Sequence, residues 1–191
     1  WRVYGEGQRA EFSEKQIFKN WNYIPYKDFP QLDDEVLGCD FGFSQDNLGI
    51  VKVGKHKNNL YIHELIYKKG MTNRDIANFI KDSKLDNMLM YCDSAEPKSI
   101  EELRQMSVLA KGAVKGQGSI NAGISLLKEF DIYVSEESLN ILKEQLSYIY
   151  DELKDGTIIN KPKSNQADHL LDSIRYCVYS RWRNRNDFFV V

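Results

Sequence analysis

Two apolar runs of strand length each end on an aspartate: Val36-Leu37-Gly38-Cys39 leads into Asp40, and Met88-Leu89-Met90-Tyr91-Cys92 leads into Asp93. Runs this short and apolar suit buried strands. A carboxylate at the end of such a strand is costly to desolvate unless it is paired, hydrogen-bonded or held by a cation. A third acid, Asp172, falls in a helical stretch near the C-terminus, Asp168-His169-Leu170-Leu171-Asp172-Ser173-Ile174-Arg175-Tyr176. Two strand ends and one helix are enough to supply a divalent-ion cage.

The pattern around these runs sets the fold class. Residues 1–35 read as an irregular leader that drapes over the rest, with Trp1, Tyr4, Trp21, Tyr23 and Tyr26 separated by Gly5, Gly7, Pro25 and Pro30. From residue 36 three strands are predicted, at 36–40, 47–54 and 60–67, the last two joined by the polar break Lys55-His56-Lys57-Asn58-Asn59. Thr72 is placed to cap a helix running to about residue 83. Strands and helices then alternate: a strand at 88–92, a helix starting near Pro97, a short strand at 113–115, a helix at about 120–129, a strand at 131–134, a long helix capped by Ser135, and a last helix at about 166–183. A three-strand meander followed by strand–helix repeats implies a mixed α/β sheet flanked by helices, in the ribonuclease H-like arrangement. Asp40 then lies on the first strand of a domain spanning residues 36–191, and Asp93 on the fourth. Ligands of such sheets collect at the carboxyl ends of the strands, where both aspartates sit.

Composition bounds the rest. A chain of 191 residues, 42% of them hydrophobic, can close one core of ordinary size. No apolar run approaches the roughly 18 residues of a membrane span, so no membrane partner is expected. The first residues lack a signal segment, and a start without Met suggests an excised piece. Cys39, Cys92 and Cys177 form no Cys-x-x-Cys pair, and each falls in an apolar stretch; they read as core filler in a reduced, cytosolic setting. Cys39 and Cys92 are expected to point away from Asp40 and Asp93 across the sheet. A net charge of −2 argues against a grip on nucleic acid through bulk charge. Local clusters remain: Lys52, Lys55 and Lys57; Lys68 and Lys69; Lys111 and Lys115; Lys161 and Lys163; Arg181, Arg183 and Arg185. Most such clusters are solvated faces.

Taken alone, the acids allow two readings. At helical spacing Ala167, Leu170, Leu171, Ile174 and Val178 form an apolar arc, with Asp168, Asp172 and Tyr179 opposite and His169 on the flank. Asp168 and Asp172 then simply face solvent. Asp93-Ser94-Ala95-Glu96-Pro97 equally suits the start of the next helix, with Glu96 as its cap. Against this, acids at two separate strand ends beside one crevice also suit a metal site.

The runs Leu37-Gly38-Cys39-Asp40-Phe41-Gly42-Phe43, Tyr91-Cys92-Asp93-Ser94-Ala95-Glu96-Pro97-Lys98-Ser99-Ile100 and Asp168 to Tyr176, with Lys115-Gly116-Gln117-Gly118-Ser119-Ile120 between them, resemble the nuclease domain of tailed-bacteriophage terminase large subunits. The leader, with Gly7, Phe18 and Trp21, is similar to the segment joining motor to nuclease, so the resemblance spans nearly the whole chain. It implies that Asp40, Asp93 and Asp172 are metal-binding acids and that His169 belongs to the same catalytic element, with Asp168 beside them as a candidate outer acid. It further implies cleavage of concatemeric double-stranded DNA by two-metal hydrolysis, in the host cytoplasm, with an ATPase motor domain, a small terminase subunit and a portal as partners. Asp40 would be shared by two ions, with Asp93 and Asp172 completing separate shells. Oxygen-only ligation favours Mg²⁺ or Mn²⁺ over zinc. Lys115, beside Gly116-Gln117-Gly118, is a candidate DNA contact through a phosphate, with an exposed structural lysine as the alternative.

The sequence has no Gly-x-x-x-x-Gly-Lys-Ser/Thr element, so the motor is not expected in this chain. Three other readings compete. Asp40-Phe41-Gly42 is similar to the phosphate loop of an actin-like ATPase, although that fold needs two lobes. A non-catalytic module that docks DNA or a portal would carry the acids incidentally. A cellular recombination nuclease of similar fold would prefer branched DNA.

Overall fold

Two glycines let the last helix settle directly onto the central strands, and this packing builds the site. The structure, a computed structural model, describes residues 14–42 and 46–183. The leader aromatics Trp1 and Tyr4, with Gly5 and Gly7, and also Phe43 and Arg185, lie outside the described residues.

The meander is formed by β2 (Asp34–Asp40), β3 (Leu48–His56) and β4 (Asn59–Lys68), each antiparallel to the next. Next to β2 lies β5 (Met90–Cys92), parallel to it, and then β6 (Ala110–Gly112), parallel to β5. At the other edge β7 (Asp131–Ser135) runs parallel to β4, and β1 (Asn22–Ile24) parallel to β7. The seven strands are ordered β1-β7-β4-β3-β2-β5-β6. This mixed sheet flanked by helices is the ribonuclease H-like arrangement that the strand order predicts.

Alternation along β2 divides the core into two layers. Leu37 and Cys39 point with Cys92 into a layer closed by α1 (Asn73–Asp82) and α2 (Pro97–Gln105). Val36, with Val51 and Tyr91, faces the other layer, closed by α3 (Ser119–Lys128), α4 (Leu139–Ser147) and α5 (His169–Trp182). The two cysteines thus lie across the sheet from the α5 side. All three cysteines are buried and free. Leu170, Leu171, Ile174, Cys177 and Val178 of α5 are at most 2% exposed. Each such side chain contributes about 1.5–3 kcal/mol of burial.

Gly38 and Gly49 permit that closeness. A Cβ on Gly38 would lie 2.0 Å from the Ser173 carbonyl oxygen, and one on Gly49 would lie 2.9 Å from that of His169. The contact is completed by the Ser173 hydroxyl, which lies 2.9 Å from the Gly49 carbonyl and 2.8 Å from that of His169 and donates its proton to one of them at a time.

Several elements differ from the sequence expectation. The short strand forms at 110–112 rather than 113–115, so Lys115 lies on the following loop. The long helix begins at Leu139, and Ser135 does not cap it: its hydroxyl bonds instead to His63 Nδ1 at 2.7 Å and to Ser138 Oγ at 2.6 Å. The Glu64 carboxylate takes over, accepting from the Asn140 and Ile141 backbone. The last helix starts at His169, because Gln166 uses its amide on the Ile149 backbone. A hairpin, β8 (Tyr150–Glu152) with β9 (Ile158–Pro162), lies where no strands were predicted, although Asp155-Gly156 is a turn signal for one. The described leader is also less irregular than expected: Ile17 and Phe18 are 2% and 3% exposed in the α5-side core, and β1 extends the sheet. Thr72 does cap α1, in a reciprocal box with Asp75. Among the described residues no helix is long and apolar enough to cross a membrane.

Candidate metal centre

Asp40 ends β2 and Asp93 follows β5, so parallel pairing of the two strands brings both aspartates to the same end of the sheet. Alternation continued from Val36 and Tyr91 turns both toward α5. That helix supplies the other members: His169 in its first turn, Asp172 one turn on, and Tyr176 one turn further, the three standing in line along one side of the helix.

The geometry is that of carboxylates tied to cations. Asp40 Oδ2 lies 3.0 Å from His169 Nδ1. Asp93 Oδ1 accepts from Lys115 Nζ at 2.5 Å and from the Ala95 backbone N–H at 2.7 Å. Asp172 receives the fork of Arg175, with Nε at 3.2 Å and Nη2 at 2.7 Å. The Tyr176 hydroxyl joins two of them, lying 3.2 Å from Asp93 Oδ2 and 3.1 Å from Asp172 Oδ2. Since a phenol carries a single proton, it donates to one of the two at a time.

The electrostatics follow from this crowding. Burial raises the Asp40 carboxyl above the usual carboxylate range; His169 opposes this, and the charges of Asp172 and Asp93 add to it. His169 is raised in turn, chiefly by its bond to Asp40. Burial also acts on Asp93, but Lys115, the Ala95 N–H and Tyr176 outweigh it and hold that carboxyl low. Asp168, half-buried, is pushed up to about 6 by burial and by the neighbouring Asp172 charge.

The predicted site residues are therefore gathered at one end of the sheet: Asp40, Asp93, Asp172 and His169 directly, Asp168 beside them, and Lys115 on Asp93. Their side-chain directions differ from the expected cage. Among the described residues no three His, Cys, Asp or Glu side chains stand as a ligand group for one ion, because each aspartate is turned onto a basic side chain. The oxygen-only donors still fit a hard divalent cation in kind. Burial and mutual repulsion on Asp40 mark a place that favours positive charge.

Both bland readings survive in part. Asp93 does make the local turn, through Ala95, while also reaching Lys115 and Tyr176. Glu96 occupies the cap position of α2, but its side chain makes no capping bond. Asp172 is not simply solvated, since a buried Arg175 grips it. Arg175 and Tyr176 went unrecognised as site members. Both were visible in the sequence, one helical turn or less beyond Asp172, a spacing at which side chains meet. One member of each of two basic clusters is paired with an acid, Lys52 with Glu35 at 2.7 Å and Arg181 with Asp34 at 2.8 Å.

A family model described as the terminase RNase H-like domain matches residues 40–180. The large terminase subunit of Bacillus phage SPP1 is 33% identical over 154 residues, covering 76% of this chain and 36% of that protein. The PBSX phage terminase large subunit of Bacillus subtilis (strain 168) is 31% identical over 144 residues, covering 74% and 33%. The chain thus spans about a third of the length of these curated relatives. Among solved structures, the SPP1 large terminase nuclease domain with bound Mn superposes with a TM-score of 0.74 at 25% identity, over 84% of this chain and 96% of that one. The large terminase nuclease of thermophilic phage G20c with bound magnesium has a TM-score of 0.67 at 19% identity, over 90% and 100%; that likeness speaks for the fold.

Proposed function

This chain belongs to the terminase RNase H-like domain family, and on that premise we propose that it is a divalent-metal-dependent endodeoxyribonuclease that cuts concatemeric double-stranded viral DNA. One observation carries the reading: Asp40, Asp93 and Asp172, far apart along the chain, meet on one side of the sheet at its strand ends, each matched by a cationic group. The manganese bound in the SPP1 nuclease domain supports the use of a divalent ion.

In this reading Asp40, Asp93 and Asp172 would hold the divalent ions, Mg²⁺ or Mn²⁺ and two in number, with Asp40 as the central ligand. Bound there, the ions supply Lewis acidity for the attacking water and the leaving 3′ oxygen. The protein's own part is orientation and charge. His169 donates from Nδ1 to Asp40 and fixes the direction of that carboxylate. Arg175 holds Asp172 through both guanidinium contacts. Asp168, less acidic than an ordinary carboxyl, is an outer group within proton-accepting range of neutral pH. Lys115, on an exposed loop beside Asp93, is placed to meet a backbone phosphate. In the full-length protein an ATPase motor domain, a small terminase subunit and a portal would be partners, and the work would be done in the host cytoplasm.

The test is plasmid digestion in Mn²⁺, Mg²⁺ or chelator, comparing the parent with Asp40→Ala, Asp93→Ala and Asp172→Ala. The expected result is cleavage only with metal, severe loss in all three variants, a milder defect in His169→Ala, and retained secondary structure by circular dichroism. Full cleavage by Asp40→Ala, or cleavage undiminished by chelator, refutes the reading.

A further inference from the structure

The three cations that face the aspartates are not equivalent. The Arg175 side chain is 6% exposed. Its stem lies in a gap that α3 opens with a glycine: a Cβ on Gly123 would come within 2.6 Å of Arg175 Cγ and 2.9 Å of Cδ. With both guanidinium contacts made, this cation has nowhere to go.

Lys115 is the opposite case. Its side chain is 34% exposed, on the loop between β6 and α3. Just before it, the Val114 N–H is pinned to the Ser180 hydroxyl of α5 at 2.9 Å, which anchors one end of the loop. Just after it come Gly116 and Gly118, where an added Cβ would meet nothing within 4 Å, and Gly118 takes a φ of +77°. The ammonium rests on Asp93 and 4.7 Å from the Tyr176 ring centroid, while Arg175 lies 4.8 Å from the same ring. One tyrosine therefore carries a buried cation and a partly exposed one, and its hydroxyl reaches the carboxylate partner of each.

We propose that Lys115 is an exchangeable counter-cation for Asp93: a divalent ion takes that carboxylate by displacing the ammonium, which then moves to a DNA phosphate, whereas Arg175 remains on Asp172 as permanent compensation. The proposal rests on the metal-dependent reading above and deepens it. Without DNA the ion must compete with Lys115 for Asp93. With DNA the ammonium has a second partner, so metal and DNA each strengthen the binding of the other, as reciprocal linkage requires.

The experiment is calorimetric titration of the protein with Mn²⁺ in the absence of DNA, for the parent, Lys115→Met and Lys115→Arg, each checked for folding by circular dichroism. The pair is partly exposed, so its removal is expected to tighten Mn²⁺ binding by about threefold to fivefold in Lys115→Met. Lys115→Arg is expected to stay near the parent. In a second measurement, a short duplex with phosphorothioate linkages is bound in Mn²⁺ at several salt concentrations. There Lys115→Met should lower the slope of log affinity against log salt by about one. Mn²⁺ affinity that is unchanged or weaker in Lys115→Met overturns the exchange, and an unchanged salt slope overturns the transfer to phosphate. Failure of the parent itself to bind Mn²⁺ is a different result: it overturns the metal-dependent reading, and the exchange falls with it.

Discussion

Replacing Gly38 with alanine tests whether the approach of α5 to the sheet builds the site. The added Cβ would stand 2.0 Å from the Ser173 carbonyl oxygen and 3.1 Å from Val51 Cγ2. Carbon–oxygen contacts settle at about 3.3 Å, so the helix must retreat by about 1 Å or more. The nearest obstacle is the helix backbone, and no rotamer relieves it. That retreat stretches the 3.0 Å contact of His169 with Asp40 and the 2.9 Å bond of Ser173 with Gly49 beyond hydrogen-bonding range. It also loosens Leu170 and Ile174, both fully buried. Overpacking costs about 1–3 kcal/mol. Each lost bond costs about 1 kcal/mol more. Against this, alanine in place of glycine in a strand regains about 0.5–1 kcal/mol. The balance is a loss of about 2–4 kcal/mol, which for a chain of this size lowers the melting midpoint by roughly 5–15 °C. Thermal unfolding measures the first effect, and Mn²⁺-dependent plasmid nicking the second. A Gly38→Ala protein that melts within about 2 °C of the parent and nicks at the parental rate refutes the reasoning.

Glu144 provides a pH test. It is 2% exposed, accepts from the Leu170 and Leu171 N–H groups at the start of α5, and is pushed by burial from its ordinary 4.5 up to about 7. The folded protein therefore binds this proton more tightly than the unfolded chain does. Its contribution to stability falls as pH rises from about 4.5 to about 7 and is level above that, with a full span of about 3 kcal/mol. Denaturant unfolding of Glu144→Gln across that range should give a flatter profile than the parent, and parallel profiles contradict this. In Gly123→Ala the new methyl displaces the Arg175 stem, while alanine favours the helix by about 1 kcal/mol. Cleavage is expected to fall about tenfold with little change in the melting midpoint, as when a group supporting a metal ligand is disturbed; undiminished cleavage counts against a role for Arg175. Phe18→Ala removes a ring packed 5.0 Å from Trp21 and 5.9 Å from Tyr148, centroid to centroid. A loss of about 3–5 kcal/mol by denaturant unfolding is expected, and a change below about 1 kcal/mol would mean that the leader is not part of the core.

Much of this protein was legible from near neighbours along the chain. Apolar runs ending in Asp40 and Asp93 mark strand ends, the meander followed by alternation marks a mixed sheet, and Thr72 with Asp75 marks the start of a helix; each is a pattern of local periodicity or capping. For Asp172 and His169 the helical pattern alone left one facing solvent and the other on the flank, and it was the resemblance to terminase nuclease domains that joined them to Asp40 and Asp93. Tertiary structure decided what depends on a partner distant in sequence. The Asn22–Ile24 segment became a strand only because β7 offered an open edge, and Gln166 left the last helix because the Ile149 backbone claimed its amide. The glycine at 38 acquired its meaning from a carbonyl 135 positions away. The same holds for the charges: which basic side chain meets which aspartate, and that Arg175 is buried while Lys115 stays partly exposed, follows from the space left between packed elements, and no spacing along the chain encodes it.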